Sequence, residues 1–207
     1  MQLPDTLPAQ VYLLAYNKER QRITGTMWLG QILGGAALTD LWLSGHLVDR
    51  DGVAHPAGAA AVPADPALRL VWERVSAAPP RRWVRWIGQR HLGQAVRDQL
   101  ASDGVLRVVP KEHWWRRDRV IVRDTRILTS LHQRVTGALR GPVPVERLDP
   151  RDAALVALVV AGEMGAAIPR AQRRAYRRRA TEIVTRGGPP VAALRKAVQQ
   201  ARSASAG

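Results

Sequence analysis

Residues 33–47 read LGGAALTDLWLSGHL. The small residues Gly34, Gly35, Ala36 and Ala37, with Gly30 before them, let a neighbouring backbone come close to a helix expected over 28–43. Ser44-Gly45 ends that helix, Gly45 being suited to a left-handed cap. Upstream, LPAQVYLLAYN (7–17) reads as a helix with Pro8 early, where a missing N–H costs nothing, and with Val11, Leu13 and Leu14 on an apolar face. KERQRITG (18–25) is a charged turn. Downstream, 46–53 suggests a short strand and a turn at Asp51-Gly52, followed by a Pro/Ala/Gly loop over 54–66.

The remaining segments are mostly helical. Residues 68–76 form a short helix broken by Pro79-Pro80, and 83–87 begins another segment. Residues 91–102 are amphipathic through Leu92, Val96 and Leu100. VLRVVPKEHWWRRDRVIV (105–122) has two β-branched runs around a polar tip, a hairpin with a long loop. A helix is expected over 127–139. Asp149 and Pro150 then cap and open an apolar helix containing AALVALVVA (153–161), which Pro169 ends. A strongly basic helix over 170–185, a Gly-Gly-Pro-Pro break at 187–190 and a last helix over 191–201 complete one domain, 1–201, with a flexible tail at 202–207. The expected class is mostly α, a helical core with one β-hairpin.

Composition narrows the function. The 207 residues contain no Cys, and the five His (His46, His55, His91, His113, His132) show no ligand spacing, so no metal site is expected. The apolar run 153–161 falls far short of the ~20 residues of a membrane span, and the N-terminus lacks a secretory pattern. A soluble, cytoplasmic protein is expected, touching a membrane only peripherally. Residues 1–80 hold six basic and seven acidic side chains, whereas 81–207 hold 26 and ten. Such asymmetry attracts polyanions, either an anionic bilayer or nucleic acid. Arg outnumbers Lys 29 to three, as in a GC-rich bacterial genome, and codon bias does not account for the asymmetry. No G-x-S-x-G and no phosphate-cradling Gly loop ahead of Lys-Ser/Thr occurs, so a binding module is expected rather than an enzyme, with no cofactor.

Taken in order, LPAQVYLLAYNKERQRITG, LGGAALTDLWLSGHL, the helix ending DGVL with its hairpin and ILTSLHQRV, and LDPRDAALVALV resemble the Golgi phosphoprotein 3 family, peripheral membrane proteins that bind phosphatidylinositol 4-phosphate. The likeness spans about residues 7–185. It implies a four-helix bundle wrapped by amphipathic helices, a hairpin that also serves as an oligomer contact, and a headgroup pocket of one Trp and several Arg. One pocket Arg falls on Arg90. The second falls on Gly93, the third on Gly34, and the pocket Trp on Gly25, with Trp28 one turn further along.

Arg90, Arg97 and Trp28 are thus the candidate headgroup residues. Arg97, two turns from Arg90 on one helix face, is positioned to replace the second Arg. Lys111, Trp114, Trp115, Arg116 and Arg117 form a hairpin tip suited to the bilayer interface. Arg170, Arg173, Arg174, Arg177 and Arg178 make a basic surface. The expected partners are anionic membrane lipid at the inner face of a membrane, a second copy through the hairpin, and a protein cargo that the residues do not specify. The alternative is a winged-helix-like nucleic-acid-binding protein, with 91–102 in a groove and 105–122 as the wing. Replacing Trp114 and Trp115 by Ser is expected to speed dissociation from anionic vesicles without unfolding the chain. Stopped-flow vesicle release and the lipid-induced blue shift of Trp emission, reduced in the double variant, are the measurements.

Overall fold

The helix α2 (Leu29–Leu43) has no solvent side along its middle, because every residue from Ile32 to Leu41 is buried. A helix enclosed on all sides belongs at the centre of a core. Here α1 (Leu7–Leu14), α6 (Pro150–Ala161) and α9 (Gly188–Ala206) pack around it. The computed structural model describes residues 3–24, 27–58, 61–110, 118–168 and 170–206. The expected close approach to α2 is made on two sides: a Cβ at Gly34 would stand 1.8 Å from the Ile87 carbonyl oxygen, and one at Gly35 would stand 3.0 Å from Leu194 of α9. Gly45 (φ +73°) closes α2 in the left-handed region, with its N–H donating to Trp42 (3.1 Å) and that of His46 to Leu41 (2.8 Å).

Around this core, among the described residues, four amphipathic helices each bury one face. They are α3 (Pro66–Ser76) through Val71 and Val75, α4 (Leu92–Ser102) through Leu92, Val96 and Leu100, α5 (Arg126–Arg140) through Leu128, Leu131 and Val135, and α8 (Arg177–Arg186) through Ala180, Ile183 and Val184. The chain is mostly α, a helical core wrapped by amphipathic helices, as its sequence indicates. No helix of the described residues is long and apolar enough to cross a membrane.

The β content exceeds the single expected hairpin. Among the described residues, β1 (Tyr16–Asn17) pairs with β2 (Arg22–Ile23), β3 (Leu47–Arg50) with β4 (Val53–Pro56), β4 with β5 (Arg81–Arg82), and β6 (Leu106–Val109) with β7 (Arg119–Val122), all antiparallel. The first helix therefore stops at Leu14 rather than 17, because Tyr16 and Asn17 fold back on Ile23 and Arg22. Asp51 (φ 53°) and Gly52 (φ 77°) make a two-residue turn that returns residues 53–56 to the sheet, where sequence suggests a loop. The hairpin over 105–122 is present as its stem, Leu106 opposite Val122 and Val109 opposite Arg119, while 111–117 lie outside the described residues.

Three helix boundaries also differ from expectation. α6 ends at Ala161, well before Pro169, because Glu163 turns left-handed (φ 53°) and its N–H donates to Val160 (3.1 Å). The basic stretch is two helices, α7 (Arg170–Ala175) and α8, broken at Tyr176. α9 starts at Gly188, with Pro189 and Pro190 in the first turn, where their missing N–H groups are harmless. It runs through Ala206, so residues 202–206 are helical rather than a loose tail, and Arg202 donates to Glu163 (2.7 Å).

Asp40 joins three of the core helices. Its carboxylate is 4% exposed, accepts the Leu7 N–H at the start of α1 (2.7 Å), and pairs with Arg151 at the start of α6 (2.9 Å). Thr6, the cap residue of α1, makes no side-chain capping bond, so Asp40 caps α1 from another helix. Burial raises the Asp40 pKa above the ordinary carboxylate value, and the Leu7 amide and Arg151 only partly offset this. Asp40→Ala, which strands both partners, is expected to cost about 3 kcal/mol. Asp40→Asn keeps an acceptor and is expected to cost less. A raised folded pKa contributes stability that is full below the unfolded pKa and lost as pH rises through the folded one. The stability of the wild type minus that of Asp40→Asn is therefore expected to increase from about pH 7 to about pH 4, read from denaturant melts of both proteins.

Candidate anion-binding surface

A guanidinium carries a fixed fork of five donors, so its value to an external anion depends on what already occupies the fork. Several arginines are committed to the protein itself. Arg97 pairs with Asp98 of its own helix (3.2 Å) and with Asp118 (3.2 Å), the second pair tying α4 to the residue just before β7, at the loop end of the hairpin stem. Arg126 pairs with Asp124 (2.7 Å), Arg134 with Asp152 (3.0 Å), and Arg186 with Glu146. Arg126 holds the Asp124 carboxyl below its usual range through its side-chain bond, whereas burial raises that of Asp152. Arg179 donates to Ala138 (2.7 Å) and Val143 (2.6 Å), answering carbonyls at and beyond the end of α5.

Arg90 is different: it is exposed, on the turn between a 3₁₀ segment (Trp83–Trp86) and α4. That turn is pinned from inside. Buried Gln89 donates to the Trp86 carbonyl (2.5 Å) and accepts from Arg74 (2.9 Å), and His91 is left-handed (φ 62°). The turn crosses α2 at Leu33 and Gly34: Ile87 abuts Gly34, and a Cβ at Gly93 would meet Leu33 at 3.5 Å. Trp28, half-buried at the cap of α2, lies about one and a half turns before that crossing. Arg90 and Trp28 therefore lie toward the N-terminal half of α2, whereas Arg97 is tied to the loop end of the hairpin stem. Of the hairpin tip, Lys111, Trp114, Trp115, Arg116 and Arg117 lie outside the described residues.

The basic stretch is split by Tyr176. Arg170 opens α7, Arg173 is half-buried, and Arg174, Arg177 and Arg178 are exposed. Ala180, Ile183 and Val184 hold α8 to the core and leave Arg177 and Arg178 facing outward. The break also creates something that local sequence does not show. Arg140, at the end of α5, sits over the Tyr176 ring (5.9 Å) and lines a cleft with Arg178 and Arg179. Nothing adjacent to Arg140 in the chain signals this, because its neighbours come from another helix pair.

The tryptophans serve the interior more than the sequence suggests. Trp83 donates its indole N–H to Asp49 (2.5 Å), and Arg81 lies over the Trp86 ring (5.9 Å). The indole N–H groups of Trp72 and Trp86 are buried without a hydrogen-bond partner among the described residues.

The sequence model of the family described as Golgi phosphoprotein 3 (GPP34) matches residues 7–201. No curated protein matches the chain. The position that the resemblance assigns to a third pocket arginine is Gly34, and the Ile87 carbonyl fills its side-chain space. Gly34→Arg is therefore expected to destabilise the fold by about 3 kcal/mol or more, rather than to strengthen headgroup binding. Thermal melting and vesicle flotation of the variant measure the two effects separately.

Proposed function

We propose that this chain, which belongs to the Golgi phosphoprotein 3 family, is a peripheral membrane protein that docks on anionic phospholipid headgroups rather than an enzyme. The observation that carries the reading is how charge is distributed after pairing. Residues 81–207 contain 26 basic and ten acidic side chains. Six of those acids, Asp98, Asp118, Asp124, Asp152, Glu146 and Glu163, are already bonded to arginines. The unmatched charge faces solvent, at Arg81, Arg82, Arg85 and Arg90 along one segment and at Arg174, Arg177 and Arg178 along another.

Exposed cations near an anionic bilayer contribute about 1 kcal/mol each, and the attraction is screened over ~8 Å at physiological ionic strength. Met27 supports the same reading: it is 77% exposed, beside Trp28 and at the Arg90 end of α2, an apolar side chain placed to enter the interface. The resemblance implies phosphatidylinositol 4-phosphate as the headgroup, the inner face of a membrane as the location, and a second copy of the chain as a partner.

Flotation with phosphatidylcholine vesicles containing increasing phosphatidylglycerol is expected to show binding that rises with the anionic fraction and falls with salt. Equal binding to neutral vesicles overturns the reading. A duplex-DNA arm at the same salt tests the nucleic-acid alternative, which gains if DNA is bound and vesicles are not.

A further inference from the structure

We propose a second site, one that binds a phosphate monoester, in the cleft between the end of α5 and the start of α8. The proposal goes beyond membrane docking and does not require it. The cleft holds about 420 Å³ and is lined by Arg140, Tyr176, Arg178, Arg179 and Glu182. That volume is in the range of small-ligand pockets, roughly 300–1,000 Å³, which suits a single phosphorylated group.

Charge selects the class of ligand. Three guanidinium groups and one carboxylate leave a net of two positive charges. A phosphate monoester carries about −1.5 to −2 near neutral pH, whereas a diester, as in a nucleic-acid backbone, carries a single charge and meets Glu182 with less compensation. The cleft also sits at the positive end of α8, since Tyr176 is its cap residue.

The groups are held in different ways, as a binding site requires. Arg179 is fixed by its bonds to Ala138 and Val143, which also answer carbonyls that would otherwise repel an anion. Arg140 is placed by the Tyr176 ring. Arg178 is exposed and makes no hydrogen bond or ion pair among the described residues, so its full fork is available. Tyr176 carries Arg140 over one face of its ring, which disfavours base stacking and favours phosphate.

The monoester is either a lipid headgroup or a free phosphate ester. Calorimetry of the full chain with glycerol 3-phosphate tests the shared chemistry. Flotation with vesicles containing phosphatidic acid, a monoester, or phosphatidylglycerol, a diester, tests the lipid source. Arg178→Gln and Arg140→Gln are expected to weaken glycerol 3-phosphate binding about tenfold, the loss of one charge-assisted bond, with Arg123→Gln as an exposed control that removes the same charge. Arg178→Gln is the decisive variant because Arg178 supports no other residue, and an unchanged melting temperature confirms its fold. If phosphatidic acid is preferred and the preference is lost in Arg178→Gln, the lipid is the source; if only glycerol 3-phosphate is affected, the free ester is. The proposal is overturned if no monoester binds, or if all three variants weaken binding equally. Phosphatidylglycerol binding retained alongside such a failure leaves the docking function standing, and monoester binding without any vesicle binding does the reverse.

Discussion

Asp40 lies in the enclosed middle of α2, and its two oxygens are shared between the first amide of α1 and the guanidinium of Arg151. Ionising a carboxylate there is unfavourable unless both partners are in place. Both partners come from other helices, so the bond network fixes how α1, α2 and α6 are rotated about their own axes. A turn of α2 by one residue would carry Asp40 away from Leu7 and put Thr39 or Leu41 against the α1 amides. The glycines at 34 and 35 depend on the same rotation, since only in this setting does one meet the Ile87 carbonyl and the other Leu194. The placement of Arg90 follows, because the turn that carries it rests on Gly34.

Sequence reading recovered what repeats or punctuates. The buried helix, its Gly45 terminus, the Asp149 cap and the hairpin stem all have local signals: small residues, a left-handed glycine, a carboxylate before proline, and two β-branched runs. What it did not recover depends on partners far along the chain. Tyr16 and Asn17 are compatible with helix and become strand because Ile23 and Arg22 face them. α6 is capped by Gly162 and turned by the left-handed Glu163, a stop inside an apolar run that continues toward Pro169. Arg97 reads as a free helix charge until Asp118 is brought beside it by the hairpin. The cleft beside Tyr176 is illegible for the same reason, since Arg140 and Arg178 belong to helices that meet only in the folded chain.

The arginines therefore divide by task rather than by position in the sequence. Arg151, Arg97 and Arg179 hold helices and the hairpin to one another, each with two acceptors. Arg90, Arg174, Arg177 and Arg178 project outward. Net charge counts the two groups alike, although only the second meets a partner at full strength. This is why pairing, more than the formal total, locates the surface that an anion would reach.

The contact between Gly35 and Leu194 also has a consequence for the chain as it is made. α2 is completed early in synthesis, yet one of its faces is closed by α9, which is made after every other helix described above. Arg151, the partner of Asp40, also arrives late. Until then a nearly uncharged helix with a lone carboxylate at its middle has no finished neighbour on two sides. The core of the nascent chain thus cannot close until α9 has been made, and the interval in which that apolar surface stands open is set by elongation rate rather than by folding speed.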